Sequence, residues 1–110
     1  ASLDLMPGGL VYGLAKMGTT LLSLGLAKEV QEHNIAVNSL WPGGTRATEG
    51  ARVLRMLRDD APWVSPETMA DAAVIIASAD PASFTGRSVT DEEVLREAGI
   101  TDLSRYHVSH

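Results

Sequence analysis

The spacing of apolar residues changes period several times along the chain. Residues 1 to 11 follow no regular spacing and carry the turn signal Pro7-Gly8-Gly9, so they read as a loop. From Tyr12 to about Glu32 the pattern is helical. Leu14, Met17, Leu21, Leu24 and Val30 fall near helical spacing, and Lys28, Glu29, Gln31 and Glu32 mark the polar end. Ala15, Gly18, Gly25 and Ala27 are small. Glycine inside a helix costs about 1 kcal/mol against alanine, so Gly18 and Gly25 either admit a close neighbour or merely weaken the helix. His33-Asn34 breaks the pattern. Ile35 to Leu40 is short and rich in branched apolar residues, as in a buried strand of a parallel sheet, and Trp41-Pro42-Gly43-Gly44 ends it.

Thr45 to Arg58 is mixed, with Val53, Leu54, Met56 and Leu57 apolar, and is expected to hold one helix before the break at Asp59-Asp60-Ala61-Pro62. Ser65-Pro66-Glu67 is a helix start: a capping serine, a proline in the first helical position, then an acid. Met69, Ala72, Ala73, Ile76 and Ala77 form its expected apolar stripe, and Asp80-Pro81 stops it. Phe84 to Val89 reads as a second short strand. Thr90-Asp91-Glu92-Glu93 is a capping box for a helix through Glu97, closed by Gly99, and Ile100 to His110 reads as a tail. Helices alternating with apolar strands imply an α/β layer architecture in one domain, residues 1–110. Two strands cannot complete a doubly wound sheet and would leave edges unpaired. The expectation is therefore an incomplete fold: about two strands with flanking helices.

Composition narrows the chemistry. The chain has 45% hydrophobic and 21% charged residues and a formal net charge of -5, which offers nucleic acid or an anionic membrane no attraction. Without cysteine there are no disulfides, thiolate chemistry or cysteine-held zinc. His33, His107 and His110 lack metal-ligand spacing and are expected at the surface, so no metal is expected. No apolar run is expected to span a bilayer, and no signal peptide is visible, which makes cytoplasm the default compartment. The first residue is alanine, as in a fragment, a processed product or a trimmed chain.

Tyr12-Gly13-Leu14-Ala15-Lys16 places a phenol and an ammonium on one helix face. A free phenol titrates near 10, and a neighbouring cation favours the phenolate, so such a pair can pass a proton to or from a carbonyl or alcohol oxygen. The same spacing also occurs on ordinary solvated helix faces. Its context is more specific. The helix is followed by a short strand containing Asn38 and ending at Pro42-Gly43, then Thr45 and Thr48, then Ser65-Pro66-Glu67, then Phe84-Thr85-Gly86. In this order the chain resembles the C-terminal part of a short-chain dehydrogenase/reductase. Ala36 to Pro42 and Asp91 to Asp102 with Tyr106 resemble the branch that includes hydroxysteroid dehydrogenase-like and citronellol dehydrogenase-like proteins, although Gly43 stands where many members carry a basic residue.

The resemblance implies a Rossmann-like doubly wound parallel sheet of which this chain is the C-terminal part. It also implies an oxidoreductase that interconverts an alcohol and a carbonyl by hydride transfer with NAD or NADP. Tyr12 is then the catalytic acid-base, and Lys16 stabilises its phenolate and hydrogen-bonds the nicotinamide ribose. Pro42, Gly43 and Gly44 border the nicotinamide, and Thr48, with Thr45 as second choice, faces the cofactor. The alternatives from the residues alone are an ordinary turn at Gly43-Gly44 and a helix cap at either threonine. The family's Gly-rich phosphate-binding turn is expected to lie outside the chain, and its catalytic serine at or before Ala1, with Ser2 the only serine nearby. Cofactor binding by the chain alone is therefore expected to be weak. Expected partners are a small alcohol or carbonyl substrate and either a second copy, through the Tyr12 helix, or a complementary half. The competing reading is a non-catalytic interaction or dimerisation protein; an unrelated helical domain fits the joint order of motifs least.

Overall fold

The computed structural model describes residues 9–57 and 62–109. The expected N-terminal loop before Gly9, Ser2, Arg58, Asp59, Asp60, Ala61 and His110 lie outside the described residues. The described chain forms two compact units. One holds the residues up to Ser39 with Ala79–Val89; the other holds Leu40–Ser78 and the chain from Thr90 onward.

In the first unit helix α1 spans Leu10–Glu29, starting before Tyr12 and stopping short of Glu32. A 3₁₀ turn, Gln31–His33, follows, and Asn34 closes it at φ 56°, a left-handed conformation asparagine tolerates through its short polar side chain. The buried seam of α1 is Gly13, Thr20 and Ala27, which recur every two turns. This corrects the expected apolar face: Leu14, Leu21 and Leu22 are 72%, 65% and 71% exposed, and small residues make the close contact. Ala27 sits 3.7 Å from where Gly86 would carry a Cβ, and Gly86 itself turns at φ 68°. Gly18 and Gly25 admit no close neighbour among the described residues. With a mean hydropathy of 1.3, α1 is long and apolar enough to cross a membrane by length and composition, contrary to the expectation that no segment was.

Strand β1 (Ser39–Trp41) pairs with β3 (Ser88–Thr90) in a small parallel sheet. The expected strand over Ile35 to Leu40 thus begins later and takes in Trp41. The approach to the ladder is held by side chains instead. Asn38 Nδ2 donates to the Phe84 carbonyl (3.1 Å), Asn38 Oδ1 accepts from Arg87 N–H (3.2 Å), and Thr85 Oγ1 accepts from Val37 N–H (3.1 Å). Ser39 N–H then donates to the Arg87 carbonyl at 2.9 Å.

The second unit contains α2 (Glu49–Val53), β2 (Trp63–Val64), α3 (Glu67–Ser78), α4 (Asp91–Glu97) and β4 (His107–Val108). Ser65 Oγ accepts from Glu67 N–H (3.2 Å), as the Ser-Pro-Glu start requires. Of the expected stripe on α3, Ala72 is buried and Met69 and Ile76 are half-buried, whereas Ala73 and Ala77 are exposed and Thr68 is buried in addition. The helix packs on α4, whose buried apolar residues are Val94 and Leu95. The Thr90 capping box is present with both hydrogen bonds. The tail is structured: a 3₁₀ turn, Ser104–Tyr106, leads into β4, which pairs antiparallel with β2, Trp63 opposite Val108 and Val64 opposite His107. Tyr106 is buried and donates to Asp71 Oδ2 at 2.7 Å.

Candidate active site

Tyr12 and Lys16 stand on α1 in the first unit. One helical turn separates them, and the Lys16 ammonium lies 5.4 Å from the centroid of the Tyr12 ring. Tyr12 is 67% exposed, so its hydroxyl is open to a reactant from solvent. No β-branched residue falls between Leu14 and Gly18, and that stretch of sequence favours helix enough to keep the pair in register.

The other expected site residues belong to the second unit. Pro42, Gly43, Gly44 and Thr45 are exposed, and Thr48 is the N-cap of α2, its Oγ1 accepting from Ala51 N–H (3.1 Å). That is the capping alternative read from the sequence. It uses an acceptor lone pair and leaves the hydroxyl proton to donate elsewhere. Thr45 lines a shallow concavity of about 210 Å³ with Arg46, Met56, Leu57, Pro62, Trp63 and Val64.

The turn is anchored by residues that the sequence did not single out. Asp91 and Arg46 are buried, and their side chains meet as a fork: Arg46 Nε donates to Asp91 Oδ2 (2.9 Å) and Nη2 to Oδ1 (2.7 Å). Gly43 N–H donates to the same Oδ1 at 2.9 Å, and Arg46 Nη2 also reaches Glu92 Oε1 at 3.3 Å. Burial by itself pushes the Asp91 carboxyl up. Hydrogen bonds from Arg46, Thr68 and Gly43 and the charge of Arg46 outweigh it and hold the group below the usual carboxylate range. A separation of 45 residues hides the Arg46–Asp91 pair from any local pattern. The only hint was an aspartate at the first position of a capped helix, which reads there as a dipole partner.

The turn is open to solvent. Gly43 and Gly44 present no side chains, and a Cβ on Gly44 would meet only Arg46 Nη1, at 3.9 Å, so the backbone is approachable from solvent. Lys16 is exposed on α1, and its ammonium carries donors only. No group of metal-ligating side chains occurs among the described residues.

A Tyr-x-x-x-Lys helix and a small parallel sheet approached through Asn38 both occur in the described chain. The family model described as short chain dehydrogenase matches residues 1–58, and the chain belongs to this family. It is 42% identical over 98 residues to hydroxysteroid dehydrogenase-like protein 2 of Xenopus tropicalis, covering 89% of this chain and 23% of that protein. The human protein of the same name is 36% identical over 97 residues, again 23% of its length. A crystal structure from Xanthomonas campestris assigned as a dehydrogenase superposes with a TM-score of 0.77 at 46% identity, covering 89% of this chain and 36% of that one. A short chain dehydrogenase from Mycobacterium thermoresistibile gives 0.77 at 38% identity over 96% of this chain and 39% of the other. The chain thus spans about a quarter of the curated relatives' length. The family generally uses NAD(P), binds small-molecule substrates and is typically oligomeric.

Proposed function

We propose that this chain supplies the proton-handling part of an NAD(P)-dependent oxidoreductase that interconverts an alcohol and a carbonyl. The observation that carries the reading is the Tyr12–Lys16 pair: an exposed phenol with an ammonium 5.4 Å from its ring, at the start of α1, in a member of this family. NAD or NADP, when bound, supplies or accepts the hydride. In the direction of reduction the Tyr12 hydroxyl donates its proton to the substrate oxygen, and in oxidation the Tyr12 oxygen takes that proton back. Lys16 places a positive charge where the phenolate forms and donates to a ribose hydroxyl. The backbone of Pro42, Gly43 and Gly44 borders the nicotinamide, and Thr48 donates its hydroxyl proton toward the cofactor.

The reading is tested in a hybrid in which this chain replaces the matching segment of the Xanthomonas campestris dehydrogenase, assayed with secondary alcohols and ketones and both cofactors. Tyr12→Phe keeps the ring and removes the proton, so turnover should fall by about 10²-fold or more with cofactor affinity nearly unchanged. Turnover within about threefold of the unsubstituted hybrid would return the pair to an ordinary helix face.

A second reading, a non-catalytic dimerisation partner, is favoured by one observation: α1 exposes Leu10, Val11, Leu14, Leu21 and Leu22 together. It is distinguished by a hybrid that assembles normally yet shows no turnover at all.

A further inference from the structure

Of the described residues, Arg46 and Asp91 form the most deeply buried ion pair, and the Tyr12–Lys16 chemistry leaves it unused. Burying two charges is a weak route to stability. Their desolvation roughly cancels their attraction, and apolar replacements are often neutral or better. The geometry instead ties a turn to a helix. Asp91 Oδ1 accepts three donors: Gly43 N–H at 2.9 Å, its own helix's Glu92 N–H at 2.9 Å, and Arg46 Nη2 at 2.7 Å. Arg46 Nε holds Oδ2. The carboxylate therefore cannot rotate without breaking a charge-assisted bond.

The inner side of the turn is closely lined. A Cβ on Gly43 would lie 3.1 Å from Glu92 Cδ and 3.2 Å from Arg46 Nη2, so a side chain there would crowd both. With the inner side committed, the turn keeps only its exposed side for a ligand, and Gly43 N–H is not among the donors it can offer.

We propose that Asp91, oriented by Arg46, is a positioning residue for the cofactor: its carboxylate fixes the Gly43 backbone and with it the seat the turn offers to a nicotinamide ring. This rests on the reading above that the turn borders the nicotinamide. Asp91 touches neither cofactor nor substrate and acts through Gly43.

The test uses the full 110-residue chain, amide resonances read by NMR, and reduced nicotinamide mononucleotide as the probe. In the unsubstituted chain the probe should shift the Gly44 and Thr45 amides in a saturable way. The Gly43 amide should titrate with the Asp91 carboxyl at acid pH. Asp91→Asn should abolish that titration, speed Gly43 amide exchange and weaken the probe by about tenfold. Arg46→Lys keeps the cation but loses the fork, and should weaken the probe by about threefold or more, which decides the matter if Asp91→Asn does not fold. Equal probe affinity in the unsubstituted chain and a folded variant overturns the positioning role while leaving the turn as a cofactor site. No shift at Gly44 or Thr45 in the unsubstituted chain overturns the reading of the turn, and the positioning role with it.

Discussion

Asp91 and Tyr12 differ in how far the sequence could reveal them. Tyr12 and Lys16 are one turn apart, so helical periodicity and their chemistry made them visible together. Asp91 gains its role from Arg46 and Gly43, far away in sequence, and a local reading sees only a helix start. Its pH behaviour follows from the pair. The folded-state value lies below the ordinary 3.8, so the stability it contributes is complete above that value and is lost as pH falls through the lower folded value. Acid denaturation followed by circular dichroism should therefore steepen below about pH 4, and less so in Asp91→Asn, whose neutral side chain has no such proton to take up. Tyr106 is the other residue the sequence undervalued, because a lone aromatic in a polar tail carries no periodicity. Burial, with Asp71 beside it, pushes its hydroxyl upward. Tyr106→Phe should cost about 1 kcal/mol in urea unfolding by removing the bond to Asp71. Lys16→Ala should differ in kind from Tyr12→Phe: in the hybrid it should lower turnover and also raise the cofactor KM, since it removes both the charge and the ribose donor.

At the scale of elements, helices with strong end signals and the two apolar strands β1 and β3 were legible to within a few residues, and the two-residue strands were not. Thr90 and Glu93 form the capping box the sequence predicts, and Thr90→Ala should lower stability by about 1 kcal/mol, measured by thermal denaturation. Ser65-Pro66-Glu67 likewise opens α3 as read. By contrast β4 is two residues long, too short for any alternation to register, and exists because β2 offers it a partner. The burial of α1 was misjudged for a related reason. Periodicity locates large apolar residues, but the contact made by Gly13, Thr20 and Ala27 depends on how closely a backbone can approach, which hydrophobicity does not encode.

For the whole molecule, the parallel αβ character was legible because strand and helix patterns alternate: the two strands expected are β1 and β3, to which the two-residue β2 and β4 add a second small sheet, in a chain covering about a third of its structural relatives. An incomplete sheet is expected to leave helix faces uncovered, and α1 exposes Leu14, Leu21 and Leu22. That face should drive self-association: sedimentation velocity should show a concentration-dependent oligomer, and Leu21→Glu, which places a charge on an exposed apolar position, should shift it toward monomer. The central claim, that Tyr12 moves the proton, is tested most directly by single-turnover oxidation of NADH or NADPH in the hybrid at saturating cofactor and ketone, where product release does not enter. The account predicts that Tyr12→Phe slows this step by about 10²-fold or more at unchanged cofactor occupancy. A single-turnover rate equal to that of the unsubstituted hybrid would contradict it.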